Sequence, residues 1–102
     1  MTLEIITTSE DSITGILTGR LDTAASQKFT NDMKPLVQNA DKHIILDCSA
    51  LEFISSSGLR LFLTIRKATM AKGSDVTIIG ASEDIKQVFK ITGFSPLFIF
   101  KD

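Results

Sequence analysis

The sequence predicts an alternating α/β domain on a mixed, mostly parallel β-sheet, with an N-terminal β-hairpin and three helices in the order β-β-α-β-α-β-α-β. Three observations predict it. Two short apolar runs, Ile44-Ile45-Leu46 and Val76 with Ile78-Ile79, have the make-up of strands buried on both faces of a parallel sheet. Segments with apolar residues at helical spacing separate and follow these runs. Near the start, the polar turn Ser9-Glu10-Asp11-Ser12 divides two apolar stretches, the pattern of an antiparallel hairpin. With 102 residues, 43% hydrophobic and 23% charged, the chain is sized for one globular domain over residues 1–102.

Leu3, Ile5 and Thr7 alternate with Glu4 and Ile6 to suggest the first strand, and Ile13 to Gly19 reads as the second. From Thr23 to Ala40, the positions Ala25, Phe29, Met33, Leu36, Val37 and Ala40 follow helical spacing, with Thr23 as the candidate N-cap. Pro35 should kink or divide this helix, because it lacks a donor and clashes with the preceding turn. His43 to Cys48 is the next strand, and Ser57 to Lys72 the second helix, ended by Gly73. Asp75 to Gly80 is a further buried strand. Ser82 caps the third helix, Glu83 and Asp84 suit its first turn, Ile85, Val88 and Phe89 form its apolar face, and Gly93 ends it. Pro96 then introduces the last strand, Leu97 to Phe100. The five phenylalanines beyond Phe53 and Phe62 read as core.

Counting excludes much chemistry. Eleven basic and twelve acidic residues leave a formal charge of −1, which argues against a domain that binds DNA or RNA by neutralising phosphates. One histidine and one cysteine are too few soft ligands for a zinc site, so no metal is expected. No two glycines stand two apart, which removes the glycine loop of a dinucleotide or nucleoside triphosphate site; no cofactor is expected. A hydrolytic His43–Ser–Asp arrangement would require convergence that the spacing does not indicate, and Cys48, with nothing basic beside it, reads as a small buried apolar residue. The chain is therefore not expected to be an enzyme. No apolar run approaches the roughly 20 residues that span a bilayer. Met1-Thr2-Leu3-Glu4 has no leader character, and a lone cysteine suits a reducing cytoplasm.

The informative stretch runs Asp47-Cys48-Ser49-Ala50-Leu51-Glu52-Phe53-Ile54-Ser55-Ser56-Ser57-Gly58-Leu59-Arg60. It leaves a strand, crosses a short loop and enters a helix at the carboxyl edge of the sheet, where open α/β sheets bind ligands and partners. On single-site grounds, a serine there reads first as a plain N-cap. Three in a row exceed what capping needs, and Phe53-Ile54 and Gly58-Leu59 suggest a tight segment pressed on the core that holds the serines at the surface. A phosphate at a helix N-terminus would meet favourable dipoles.

This stretch resembles the signature of the STAS family, specifically the bacterial anti-sigma factor antagonists, whose pattern is approximately D-x-S-x-[LV]-x-[FY]-[IM]-D-S-[ST]-G-L. Asp47, Ser49, Leu51, Phe53, Ile54, Ser56, Ser57, Gly58 and Leu59 match it. Gly19-Arg20-Leu21-Asp22-Thr23-Ala24-Ala25 is similar to the family's segment after the hairpin, and Val88 to Phe94 to its last helix. The resemblance implies a STAS-type fold and a phosphorylation-controlled binding switch. It places the phosphoacceptor at Ser56, with Ser55 standing where the family usually has aspartate; Ser55 and Ser57 are alternative acceptors. It implies a partner anti-sigma factor of histidine-kinase-like ATPase fold that acts as the serine kinase, and a serine phosphatase that resets the switch. The other reading is a STAS scaffold or accessory subunit of a stress-sensing complex or membrane transporter, not regulated by phosphorylation.

The helix after Gly58 adds candidates for the interface. Arg60, Thr64 and Lys67 make a polar stripe, with Leu59, Phe62, Leu63 and Met70 on one side and Leu61, Ile65 and Ala68 on the other. The Leu61/Ile65 side is either a docking patch or covered by neighbouring elements. Asp22 is either a surface carboxylate that meets the partner or a cap or turn residue. The expected partner-binding set is thus Asp22, Ser55, Ser57, Gly58, Arg60, Leu61 and Ile65.

Overall fold

A computed structural model describes residues 1–102. The strands are β1 (Thr2–Thr7), β2 (Ser12–Leu21), β3 (His43–Ile54), β4 (Val76–Ile79) and β5 (Ile99–Lys101); the helices are α1 (Thr23–Asp32), α2 (Lys34–Gln38), α3 (Ser56–Ala71) and α4 (Glu83–Thr92). They form one five-stranded sheet in the order β1-β2-β3-β4-β5, in which β1 and β2 are antiparallel and all later pairs parallel.

The order has a consequence for burial. From β2 onward each strand is laid beside the last in one direction, and right-handed crossovers then put every helix on the same face. The 20-residue core lies on that face, drawing Ile13 and Leu17 from β2, Ile44, Leu46 and Cys48 from β3, and Val76 and Ile78 from β4. Phe29, Phe62 and Phe89 stack through it at centroid distances of 6.1 and 6.0 Å, with Phe98 and Phe100 edge-on to Phe89. The expectation of strands buried on both faces is therefore corrected: Ile45 and Ile79, pointing the other way, are only half-buried. Of the five phenylalanines expected in the core, Phe29, Phe89 and Phe98 are buried, while Phe94 and Phe100 are partly exposed at its margin.

Four helices replace the three expected, because Pro35 divides the first. α1 stops at Asp32, and Pro35 sits in the opening turn of α2, where a missing N–H costs nothing. The cap of α1 is Asp22 and not Thr23: Asp22 Oδ1 accepts the Ala25 N–H at 2.8 Å. At the other end of the chain Pro96 lies in a 3₁₀ turn, Ser95–Leu97, and the last strand begins only at Ile99.

The largest departure concerns β3. A strand ending at Cys48 followed by a loop was expected; the strand instead continues to Ile54 and passes directly into α3. Two register shifts against β2, between Ile16 and Thr18 and between Gly19 and Arg20, each give β3 one extra residue. Such bulges break the two-residue alternation, so that beyond Cys48 the buried positions are Leu51 and Ile54, three apart. Asp47 and Ser49 hold the first irregularity: Asp47 Oδ1 accepts from Ser49 N at 3.0 Å and from Ser49 Oγ at 2.6 Å. Ser49 in turn packs against Gly80, where an added Cβ would lie 2.1 Å from its Oγ.

Candidate functional site

The carboxyl ends of β2 and β3 are tied together and launch α1 and α3 side by side. Ser55 N donates to Leu21 O at 2.8 Å. One residue past Leu21, Asp22 caps α1; one residue past Ile54, Ser55 caps α3, its Oγ accepting the Gly58 N–H at 3.1 Å. Two helix N-termini, each with unpaired N–H groups and the positive end of a dipole, thus open at one edge.

A chain of hydroxyls joins them. Ser55 Oγ lies 3.2 Å from Ser57 Oγ, which lies 3.4 Å from Ser26 Oγ; Ser26 Oγ donates its one proton to the Asp22 carbonyl at 2.9 Å. Ser26 is buried, a residue that sequence reasoning passed over. Its signal was present in the spacing, since Thr23, Ser26 and Thr30 put hydroxyls on one helical face at i, i+3 and i+7. Between α1 and α3 this face borders an open groove of about 250 Å³, lined by Thr23, Ser26, Gln27, Thr30, Ser57 and Leu61.

The three consecutive serines divide by role. Ser55 is spent on the cap and Ser57 on the hydroxyl chain. Ser56, first residue of α3, is exposed, and its Oγ has no hydrogen-bond partner within the chain. Ser55, which stands where the STAS pattern has aspartate, supplies a capping oxygen without a charge. Gly58 is buried where α3 meets β2: a Cβ would come within 2.6 Å of Leu21 Cγ and 3.1 Å of Leu21 O. The backbone of α3 itself rests on the strand end, which holds Ser56 at the rim.

The remaining candidates separate. Arg60 is exposed beside Ser56, without a carboxylate partner, and Leu61 is partly exposed in the groove. Ile65 is corrected: its exposure is 0%, because it points into the core with Phe62, so it is no part of an accessible patch. The side of α3 away from the groove is partly open instead, where Met70 is 55% exposed.

Two residues noted in the sequence lie elsewhere. Burial, and then the Asp47 charge, push the Cys48 thiol up to about 12, so it stays protonated at neutral pH and is no nucleophile. His43 meets an acid and a hydroxyl, but that hydroxyl is a threonine and no serine bonds to the ring. Its Nδ1 meets the Asp75 carboxylate and its Nε2 lies 2.9 Å from Thr77 Oγ1, linking the starts of β3 and β4. Thr77 is buried and lies neither in the α1–α3 groove nor in a second one lined by Lys86, Lys90, Ser95 and Phe100, so the arrangement braces two strands. No helix is long and apolar enough to cross a membrane.

Comparison with known proteins places this geometry. The family model for the STAS domain matches residues 6–102. The anti-sigma-B factor antagonist of Staphylococcus aureus is 29% identical over 98 residues, covering 95% of this chain and 91% of that protein. Among solved structures, the anti-sigma factor antagonist SpoIIAA in its unphosphorylated form aligns with a TM-score of 0.77 at 19% identity, over 99% of this chain and 88% of that one. The phosphorylated form of SpoIIAA, from Bacillus, aligns with a TM-score of 0.75 at 20% identity, over 99% and 92%. At such identities the structural likeness speaks for the fold.

Proposed function

The chain belongs to the STAS domain family, and we propose that it is an anti-sigma factor antagonist: a cytoplasmic, non-enzymatic binding protein switched by phosphorylation of Ser56. The observation that carries the reading is the state of the Ser56 hydroxyl, the one of three neighbouring serines that is exposed and unbonded, at a helix N-terminus whose next residue, Ser57, lines an open groove. The partner is an anti-sigma factor of histidine-kinase-like ATPase fold. It docks on the edge formed by Asp22, Ser57, Gly58, Arg60 and Leu61, with Ser55 holding the helix start.

In the complex, Ser56 Oγ attacks the γ-phosphorus of the partner's ATP, a partner group takes the hydroxyl proton, and ADP leaves. The product carries about −1.5 to −2 additional charge at neutral pH. On a domain of formal charge −1 that is a large local change at the centre of the contact. Each 1.4 kcal/mol or so of repulsion and lost desolvated contact weakens binding tenfold. The fold itself is spared, because the phosphate lies over the unpaired N–H groups of the first turn. A serine phosphatase resets the switch by hydrolysis of the ester.

The test is intact mass and fragment mapping of the protein from its own cells, under growth and under stress. One phosphate, on Ser56, varying with condition, is the expected result. Ser56→Ala should abolish it and Ser56→Glu should weaken capture of the anti-sigma factor at least about tenfold. Phosphate on Ser55 or Ser57 would move the acceptor; none in any condition would favour the unregulated scaffold or transport-partner role. Leu61→Asp should keep a cooperative melt and lose the partner, whereas Ile65→Asp, which buries a charge in the core, should abolish folding. A Leu61→Asp protein that fails to fold would remove the groove from the interface.

A further inference from the structure

We propose that the helix-free face of the sheet is a self-association surface, on which a second copy packs face to face about a two-fold axis running along β3. Side chains alternate along each strand, so the register defines the rows on this face. One row, from β1 to β5, is Ile6–Thr14–Ile45–Thr77–Ile99, and it reads the same from either edge. The next is Glu4–Ile16–Asp47–Ile79–Lys101, apolar at matching places and opposite in charge at its ends.

A two-fold axis parallel to β3 reverses the strand order and keeps each row over itself. Ile6 then lies over the partner's Ile99, and Glu4 meets the partner's Lys101, each contact made twice. Ile6 and Ile99 are 42% and 40% exposed in the single chain, and neither Glu4 nor Lys101 has an ion-pair partner there. The two threonines already bond within the chain, Thr14 to Thr8 and Thr77 to His43, so covering them strands no hydroxyl. Parallel sheets are ordinarily covered on both faces, and aligned sheet packing suits this geometry. Charge and hydropathy both match the same chain turned around, which is the requirement of an isologous interface.

The association is weak. Five strands at about 4.8 Å spacing and two to three rows of side chains give on the order of 300–500 Å² per copy, against roughly 800 Å² per partner in a standard stable interface. Asp47 faces its own copy across the axis, a like-charge contact that weakens the dimer further.

Methyl-labelled isoleucine spectra recorded on the full chain from roughly ten micromolar to a millimolar test it. The Ile6, Ile45 and Ile99 signals should move with concentration, while those of Ile44 and Ile78 in the core and Ile91 on α4 stay. Glu4→Lys or Lys101→Glu alone should weaken association several-fold and the two together restore it. Asp47→Asn, which keeps an acceptor for Ser49, should tighten it. Concentration-independent spectra, shifts centred on Ile91, or a double variant as weak as the single ones would each overturn the proposal.

Discussion

Helices α3 and α4 both begin with a serine in extended backbone whose Oγ accepts the N–H three residues on, Gly58 at 3.1 Å from Ser55 and Ile85 at 3.2 Å from Ser82. Beyond that shared cap they differ in charge and in packing. The first turn of α4 carries Glu83 and Asp84, which neutralise its dipole, while the first turn of α3 carries no acid. At the third position α4 buries the Ile85 side chain, whereas α3 has Gly58 and rests its backbone on Leu21. The first helical residue of α4 is already a carboxylate. That of α3 is a free hydroxyl facing an N-terminus with nothing negative upon it. Identical caps therefore give one helix start whose dipole is opposed by two acids and one whose dipole is not.

The packing half of this comparison carries the largest expected effects, and they run in opposite chemical directions at equivalent positions. Ile85→Ala empties a core site and should cost about 3 kcal/mol. Gly58→Ala adds a methyl group where Leu21, itself 0% exposed, leaves no room, and should cost about 2 kcal/mol despite alanine's better helix propensity. In thermal melts that is a fall of roughly 8–16 °C for Gly58→Ala in a domain of this size. A stabilised Gly58→Ala protein would show that α3 is not seated by its backbone, and the fixed position of Ser56 would lose its basis.

How far the sequence made this visible can be followed along the chain. The caps at Ser82 and Gly93 and the acids of α4 were legible because each acts on its own helix end. Gly58 was legible as part of a motif, though its physical reason was not: the clash lies with Leu21, 37 positions away in sequence and brought near by the β2–β3 pairing. The continuation of β3 was hidden because two bulges replace alternation by a three-residue spacing from Cys48 to Ile54. Ile65 looked available for docking because helical spacing defines a face but not what lies against it. The uncovered sheet face follows from strand order, which no local pattern encodes. Likewise His43, Asp75 and Thr77 meet only through the register of β3 with β4.

The electrostatic half of the comparison predicts a smaller difference, and it bears most directly on Ser56. Aspartate and serine are about equal as N-caps, so replacing one by the other at Ser55 or Ser82 changes chiefly the charge. Ser55→Asp places a carboxylate over an N-terminus with no acid of its own and should stabilise by about 0.5 kcal/mol at low salt. Ser82→Asp adds a third negative charge beside Glu83 and Asp84 and should bring no gain. At about 1 M salt, where screening falls to roughly 3 Å, the difference between the two variants should largely vanish. Denaturant titrations of both variants at low and high salt measure it. Equal gains at both positions would mean that first-turn acids do not set the field at these N-termini, and the case for Ser56 as the favoured place for a phosphate would then rest on its exposed hydroxyl alone. A gain confined to Ser55 carries a further consequence for the proposed switch: an aspartate at that position would occupy part of the same positive field, so serine there would leave more of it to a phosphate on Ser56.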